Sequence, residues 1–180
     1  MNIESIISTN RSKEKIQEII DSIIAEPQKL NELMNILKDE NLKDIHYRAA
    51  WILGYLAPLG SKAFEEYYDF LLKSLKNEEA HPTIIRSITR LFQFITLPEK
   101  YHGQIIDISF NILTSEQQEL AQRANTMSII YNYSKLYPDF KQELKYVIQD
   151  ILEYKKEASI QSRGKKVLKQ LNKKQHEPKY

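Results

Sequence analysis

Apolar residues return every three or four positions along almost the whole chain, the spacing that keeps them on one face of a helix. The first clear stretch follows Ser12, a residue type suited to capping, and carries Ile16, Ile19, Ile20, Ile23 and Ile24. It predicts a helix reaching about Glu26, where Pro27 breaks the pattern. Similar stretches predict helices over 28–38, 43–57, 63–76, 82–96, 102–113, 116–136, 139–155 and 158–173, about nine in all with short connections. No Asn-Gly or Asp-Gly hairpin turn occurs, and only four glycines and six prolines interrupt a chain rich in helix formers. The fold class that follows is all-α.

A long run of helices invites a search for a repeat. Four blocks align, Tyr47-Arg48-Ala49-Ala50, Ile85-Arg86-Ser87-Ile88, Gln122-Arg123-Ala124-Asn125 and Ser162-Arg163-Gly164-Lys165, with their arginines 38, 37 and 40 residues apart. A small residue always follows the arginine: Ala49, Ser87, Ala124, Gly164. Three positions before it stand Ile45, Thr83, Leu120 and Ile160, and eight after it Leu56, Phe94, Tyr131 and Leu171. Four after it Ile52, Met127 and Val167 agree, with Arg90 the exception. On a helix these positions form one stripe with the small residue near its middle, where a neighbouring helix needs to come close, and the arginine at its edge.

Each block is preceded by another amphipathic segment, such as Phe64 to Leu72 or Phe140 to Leu152. The repeating unit is thus a helical hairpin of roughly 40 residues, and neither of its helices can bury its apolar face alone. The segment from His46 through Tyr47, Arg48, Ala49, Ala50, Trp51, Ile52, Leu53, Gly54, Tyr55 and Leu56 to Ala57 resembles the inner helix of a HEAT or armadillo repeat. The resemblance extends over residues 28–173 with more degenerate later blocks. It implies a right-handed α-solenoid of about four hairpins plus an N-terminal helix, with residues 1–173 as one repeat domain and 174–180 as a flexible basic tail. It also implies an architecture rather than a chemistry, because such repeats generally serve as scaffolds for a protein or peptide partner.

Composition narrows the chemistry further. The absence of cysteine excludes disulfides, thiolate metal sites and a cysteine nucleophile. The first residues reach Arg11, Lys13, Glu14 and Lys15 before any long apolar run, so they read as neither signal peptide nor membrane span, and a cytoplasmic protein is expected. A formal net charge of +2 hides an uneven distribution: Lys155 to Tyr180 holds nine Lys/Arg against Glu157 and Glu177, a local +7 on an otherwise acidic body.

Two groups of residues stand out as binding candidates. Arg48, Trp51, Tyr55, Arg86 and Arg90 combine guanidinium groups with aromatic rings, a mixture that often dominates partner binding. Asp44 and Glu119, four residues before Arg48 and Arg123, offer a structural alternative in which the arginines brace the stack, and Trp51 has a simpler reading as packing beneath the N-terminal helix. The second group is Arg163, Lys165, Lys166, Lys169, Lys173 and Lys174, suited either to phosphates of a nucleic acid or to the polar outer cap of a solenoid. Tyr131, Tyr133 and Tyr137 beside Lys135 also allow base stacking, though helical spacing explains them as core-edge residues.

Catalytic patterns are missing. His46, His81, His102 and His176 are dispersed, so no metal is expected, and neither a phosphate-binding glycine loop nor a nucleophile elbow occurs. No cofactor and no enzymatic activity are expected. The Ser-rich loop of adenylosuccinate lyases, with its Met, Lys and Asn, has no counterpart. HEAT-like alkylpurine DNA glycosylases use concave Trp, Asp and Arg residues, which Trp51, Asp44 and Arg48 echo in one repeat only, and the acidic body disfavours wrapping DNA.

Overall fold

A computed structural model describes residues 2–9 and 12–173; the side chains of Glu40, Lys43 and Asp44 and the expected tail at 174–180 lie outside the description. The described residues form ten α-helices, joined by short turns and 3-10 segments, in two compact units, Met1–Tyr101 and His102–Tyr180.

The first unit contains α1 (Ile3–Thr9), α2 (Lys13–Ala25), α3 (Leu30–Lys38), α4 (Lys43–Leu53), α5 (Tyr68–Lys76) and α6 (Pro82–Phe92). Helix α1 was not predicted by periodicity, since seven residues show too few turns for a pattern to repeat. It is held by burial of Ile3 and Ile7 and by the Ile3 N–H donating to Glu32 Oε1 at 2.5 Å. Ser12 caps α2 as expected, its hydroxyl accepting the Lys15 N–H at 3.3 Å.

Helix α4 ends earlier than its apolar pattern suggests, at Leu53, and the chain continues through a 3-10 turn at Ala57–Leu59 to Gly60. Gly60 has φ +75°, and a side chain there would meet nothing within 4 Å, so glycine supplies backbone freedom rather than room. The stretch expected to be helical from residue 63 begins as 3-10 over Ser61–Tyr67 before turning α at Tyr68. Helix α4 packs against α3 and α6, and α5 against α6, around a core that includes Leu33, Met34, Ala49, Ile52, Phe64, Tyr68, Ile88 and Phe92.

The second unit contains α7 (His102–Thr114), α8 (Leu120–Tyr133), α9 (Phe140–Tyr154) and α10 (Ala158–Leu171). Helix α8 packs against α7 and α10, and α9 against both α8 and α10. Leu113, Met127, Ile130, Leu144, Ile148, Ile160 and Val167 fill its core.

The small-residue positions are where the repeat placed them: Ala49, Ser87, Ala124 and Gly164 are all buried. Around them Ile45, Ile52, Leu56, Met127, Ile160 and Val167 are buried, while Thr83, Leu120, Tyr131 and Leu171 sit half-buried at the edges. Phe94 departs from the stripe and is 66% exposed. Helix α6 ends at Phe92 and the Phe94 N–H turns back to the Leu91 carbonyl at 3.0 Å, as the Leu56 N–H does to Leu53 at 3.1 Å, so the turn is shared and what differs is Arg90 one turn earlier, where the first block has Ile52.

Candidate functional site

The arginine ladder separates into different roles. Arg48 Nη1 donates to the carbonyls of Ile7 at 2.5 Å and Ser8 at 3.4 Å, which satisfies the carboxyl end of α1. Arg123, only 4% exposed, donates from Nε to the Leu113 carbonyl at 2.8 Å at the end of α7. Glu119, four residues before it, closes a capping box with Gln122, whose side-chain oxygen accepts the Glu119 N–H at 3.0 Å.

Other donor types do the same work in two further hairpins. His46 Nε2 donates to the Leu37 carbonyl at the end of α3, and Gln161 Nε2 donates to Leu152 O at 2.9 Å and Lys155 O at 2.7 Å at the end of α9. In these three hairpins, an early side chain of the second helix caps the end of the first. Sequence alignment on arginine missed His46 and Gln161 because the function is carried by an N–H donor, not by one residue type.

Arg163 is half-buried, with Nη1 donating to Ser128 Oγ of α8 at 2.7 Å. Burial pushes its guanidinium pKa below the usual value. Ser128→Ala is therefore expected to cost about 1 kcal/mol in a urea titration, since it removes an acceptor from a partly desolvated cation.

Trp51, Tyr55 and Arg90 form a continuous contact in the first unit. The rings of Trp51 and Tyr55 meet edge-on, with centroids 5.8 Å apart and planes at 89°, and the Arg90 guanidinium lies 4.1 Å from the Tyr55 centroid. Gly54 makes this approach feasible: a Cβ there would sit 3.3 Å from Arg90 Cδ and 3.4 Å from Ser87 Cα and O. The Tyr55–Arg90 pair borders an open cleft of about 410 Å³ lined also by Gly54, Ala57, Pro58 and Phe94. Trp51 is half-buried, and Arg86 lies exposed one turn before Arg90 on α6.

The basic end has a distinct geometry. Lys165, Lys166 and Lys169 stand exposed on one side of α10 and Lys173 lies exposed just beyond its end; none pairs with a described carboxylate. Lys174 falls outside the described residues.

A HEAT repeat domain model matches residues 3–171. The chain belongs to the HEAT repeat family. No curated protein matches it, and no solved structure does. In this HEAT repeat protein α4 and α6 are the arginine-bearing second helices of successive hairpins, and the Trp51–Tyr55–Arg90 contact spans them. Phe94 belongs to the same cleft although its repeat position read as core, and the only sequence signal for its exposure was the polar Arg90 one turn earlier.

The described histidines make structural bonds, and His176 lies outside the described residues. His81 Nδ1 accepts the Thr83 N–H at 3.2 Å at the start of α6, and His102 Nδ1 lies 2.9 Å from the Tyr137 hydroxyl. Among the described residues no group of three or more His, Cys, Asp or Glu is placed to hold a metal ion. No described helix is long and apolar enough to cross a membrane.

Proposed function

We propose that this HEAT repeat protein is a non-enzymatic scaffold that binds a protein or peptide partner through the face carrying Trp51, Tyr55, Arg90 and Phe94. The supporting observation is the contact running from Trp51 to Tyr55 to Arg90 and ending beside an open cleft with an exposed phenylalanine. Rings and guanidinium held by one another lose little side-chain freedom on binding, which is what makes Trp, Tyr and Arg effective anchors. Arg86 extends the same helix face by one turn. Arg48, whose guanidinium serves the end of α1, contributes to the position of α1 rather than to the cleft.

The test is affinity capture from native lysate after nuclease treatment, with the parent chain and a Trp51→Ala/Arg90→Ala variant side by side. A stoichiometric protein retained by the parent and reduced at least tenfold on the variant is the expected result, since loss of two anchor residues ordinarily removes more than 2 kcal/mol. Equal retention by both would rule this face out.

The exposed lysines of α10 favour a second reading, in which Lys165, Lys166, Lys169 and Lys173 contact the phosphates of a nucleic acid. Such binding would weaken steeply as salt rises, because each neutralised phosphate releases a counterion. The scaffold reading expects no appreciable binding of duplex or single-stranded oligonucleotides at physiological salt, and a steep salt slope abolished by Lys165→Glu/Lys169→Glu would replace it.

A further inference from the structure

The cleft beside Tyr55 has a chemistry that selects its occupant. Among its lining residues Arg90 alone is charged, and Gly54, Ala57, Pro58, Tyr55 and Phe94 are apolar or aromatic. Arg90 makes no ion pair with a described carboxylate. With its guanidinium against the Tyr55 ring, it retains N–H groups for an outside acceptor, the arrangement in which arginine binds carboxylates in parallel pairs.

Resting on the binding role proposed for this face, we infer that the cleft takes a short acidic peptide segment. An aromatic or branched aliphatic side chain of the segment packs against Phe94 and Pro58, and a neighbouring Asp or Glu pairs with Arg90. The cleft volume of about 410 Å³ lies toward the small end of the range for ligand pockets and suits side chains of a segment rather than a large cofactor.

Charge complementarity decides for a peptide over a polynucleotide. A nucleic acid strand needs a track of cations along its backbone, whereas this cleft offers Arg90 with Arg86 one turn away, in a unit whose acidic residues outnumber its basic ones. Arg90 also stands in the last turn of α6, the negative pole of the helix dipole. Without that guanidinium the site repels an acidic segment, so binding depends on this one charge.

The experiment is selection of random short peptides on the full chain, followed by titration of a selected tryptophan-free peptide against the fluorescence of Trp51, the only tryptophan present. The expected peptides carry Asp or Glu close to Phe, Tyr, Leu or Ile. Changing those acids to Asn and Gln, or making Arg90→Ala, is expected to weaken binding tenfold or more, and Arg90→Lys is expected to recover only a small part because an ammonium does not present paired planar donors. Oligothymidylate is titrated alongside.

Peptides that need Tyr55 yet bind equally well in the amide form would overturn the acidic occupant while leaving the binding face in place. Peptides whose binding is unchanged by Tyr55→Ala and by Arg90→Ala would overturn both. Oligothymidylate binding that requires Arg90 would overturn the peptide in favour of a nucleic acid. Arg90 is exposed, so its variants are expected to fold as the parent does, which circular dichroism checks directly.

Discussion

Replacing Gly164 with leucine is expected to destabilise the second unit by about 3 kcal/mol, at the upper end of the cost of overpacking a core. The ideal Cβ at this position falls 2.8 Å from Leu152 Cδ2 and 3.1 Å from both Ile148 Cγ2 and Leu152 Cδ1, so α10 sits against α9 with no room for a branched side chain. Alanine provides the internal control. Its methyl pushes back the flexible tip of Leu152 and presses on Ile148 Cγ2, and the gain of about 1 kcal/mol from replacing a mid-helix glycine offsets much of that strain. Gly164→Ala is therefore expected to remain within about 1 kcal/mol of the parent. Urea titration measures the two differences, and amide exchange localises them: Gly164→Leu should raise exchange in α9 and α10 before α7. Equal stability of the leucine and parent chains would mean that the two helices are not held at this separation.

The same glycine shows how far the sequence could be read. Small residues at Ala49, Ser87, Ala124 and Gly164 recur because a close helix contact excludes larger side chains at each, and that demand depends only on the repeat geometry. Helix ends were harder. The apolar pattern of 43–57 and 82–96 runs past the helix termini at Leu53 and Phe92, because residues in a following 3-10 turn can still be apolar and, like Leu56, still be buried. Phe94 lies in the corresponding position and is exposed, and the local difference is one turn earlier, where Arg90 stands in place of Ile52. Helix α1 was hidden for a different reason: its stability comes from partners 29 and 41 residues away, Glu32 and Arg48, rather than from its own period.

The candidate site was legible as residue types and illegible as geometry. Trp51 and Tyr55 share a helix face by simple spacing, but nothing in spacing places Arg90 over Tyr55; that follows from Gly54 letting the end of α4 approach Ser87 on α6. The i,i+4 spacing points only to carboxylates as arginine partners, and it gives no hint that Arg48 and Arg123 also donate to backbone carbonyls at helix ends. An unpaired carbonyl at a helix terminus is present in every helix and leaves no trace in composition.

Arg123→Ala should consequently be among the most damaging single changes in the chain, costing about 3 kcal/mol from a stranded buried carbonyl together with the void left by a long side chain. The two contributions can be separated. Arg123→Met preserves most of the stem while deleting the donor, so it isolates the Leu113 carbonyl and is expected to cost about 1–2 kcal/mol. The comparison with Arg90→Ala is the sharper one, because that exposed guanidinium makes no hydrogen bond that a helix terminus relies on, and its loss is expected to change stability by no more than about 0.5 kcal/mol. Urea midpoints of the three variants against the parent give the ranking, and exchange of the α7 and α8 amides locates the damage. A large loss on Arg123→Ala with an unchanged Arg90→Ala would divide the arginines by what their donors reach: a carbonyl at a helix end makes the residue part of the fold, and an open cleft leaves it available to a partner. Near-equal stability of Arg123→Ala and the parent would instead mean that the end of α7 is satisfied by water, leaving the buried guanidinium without a structural role.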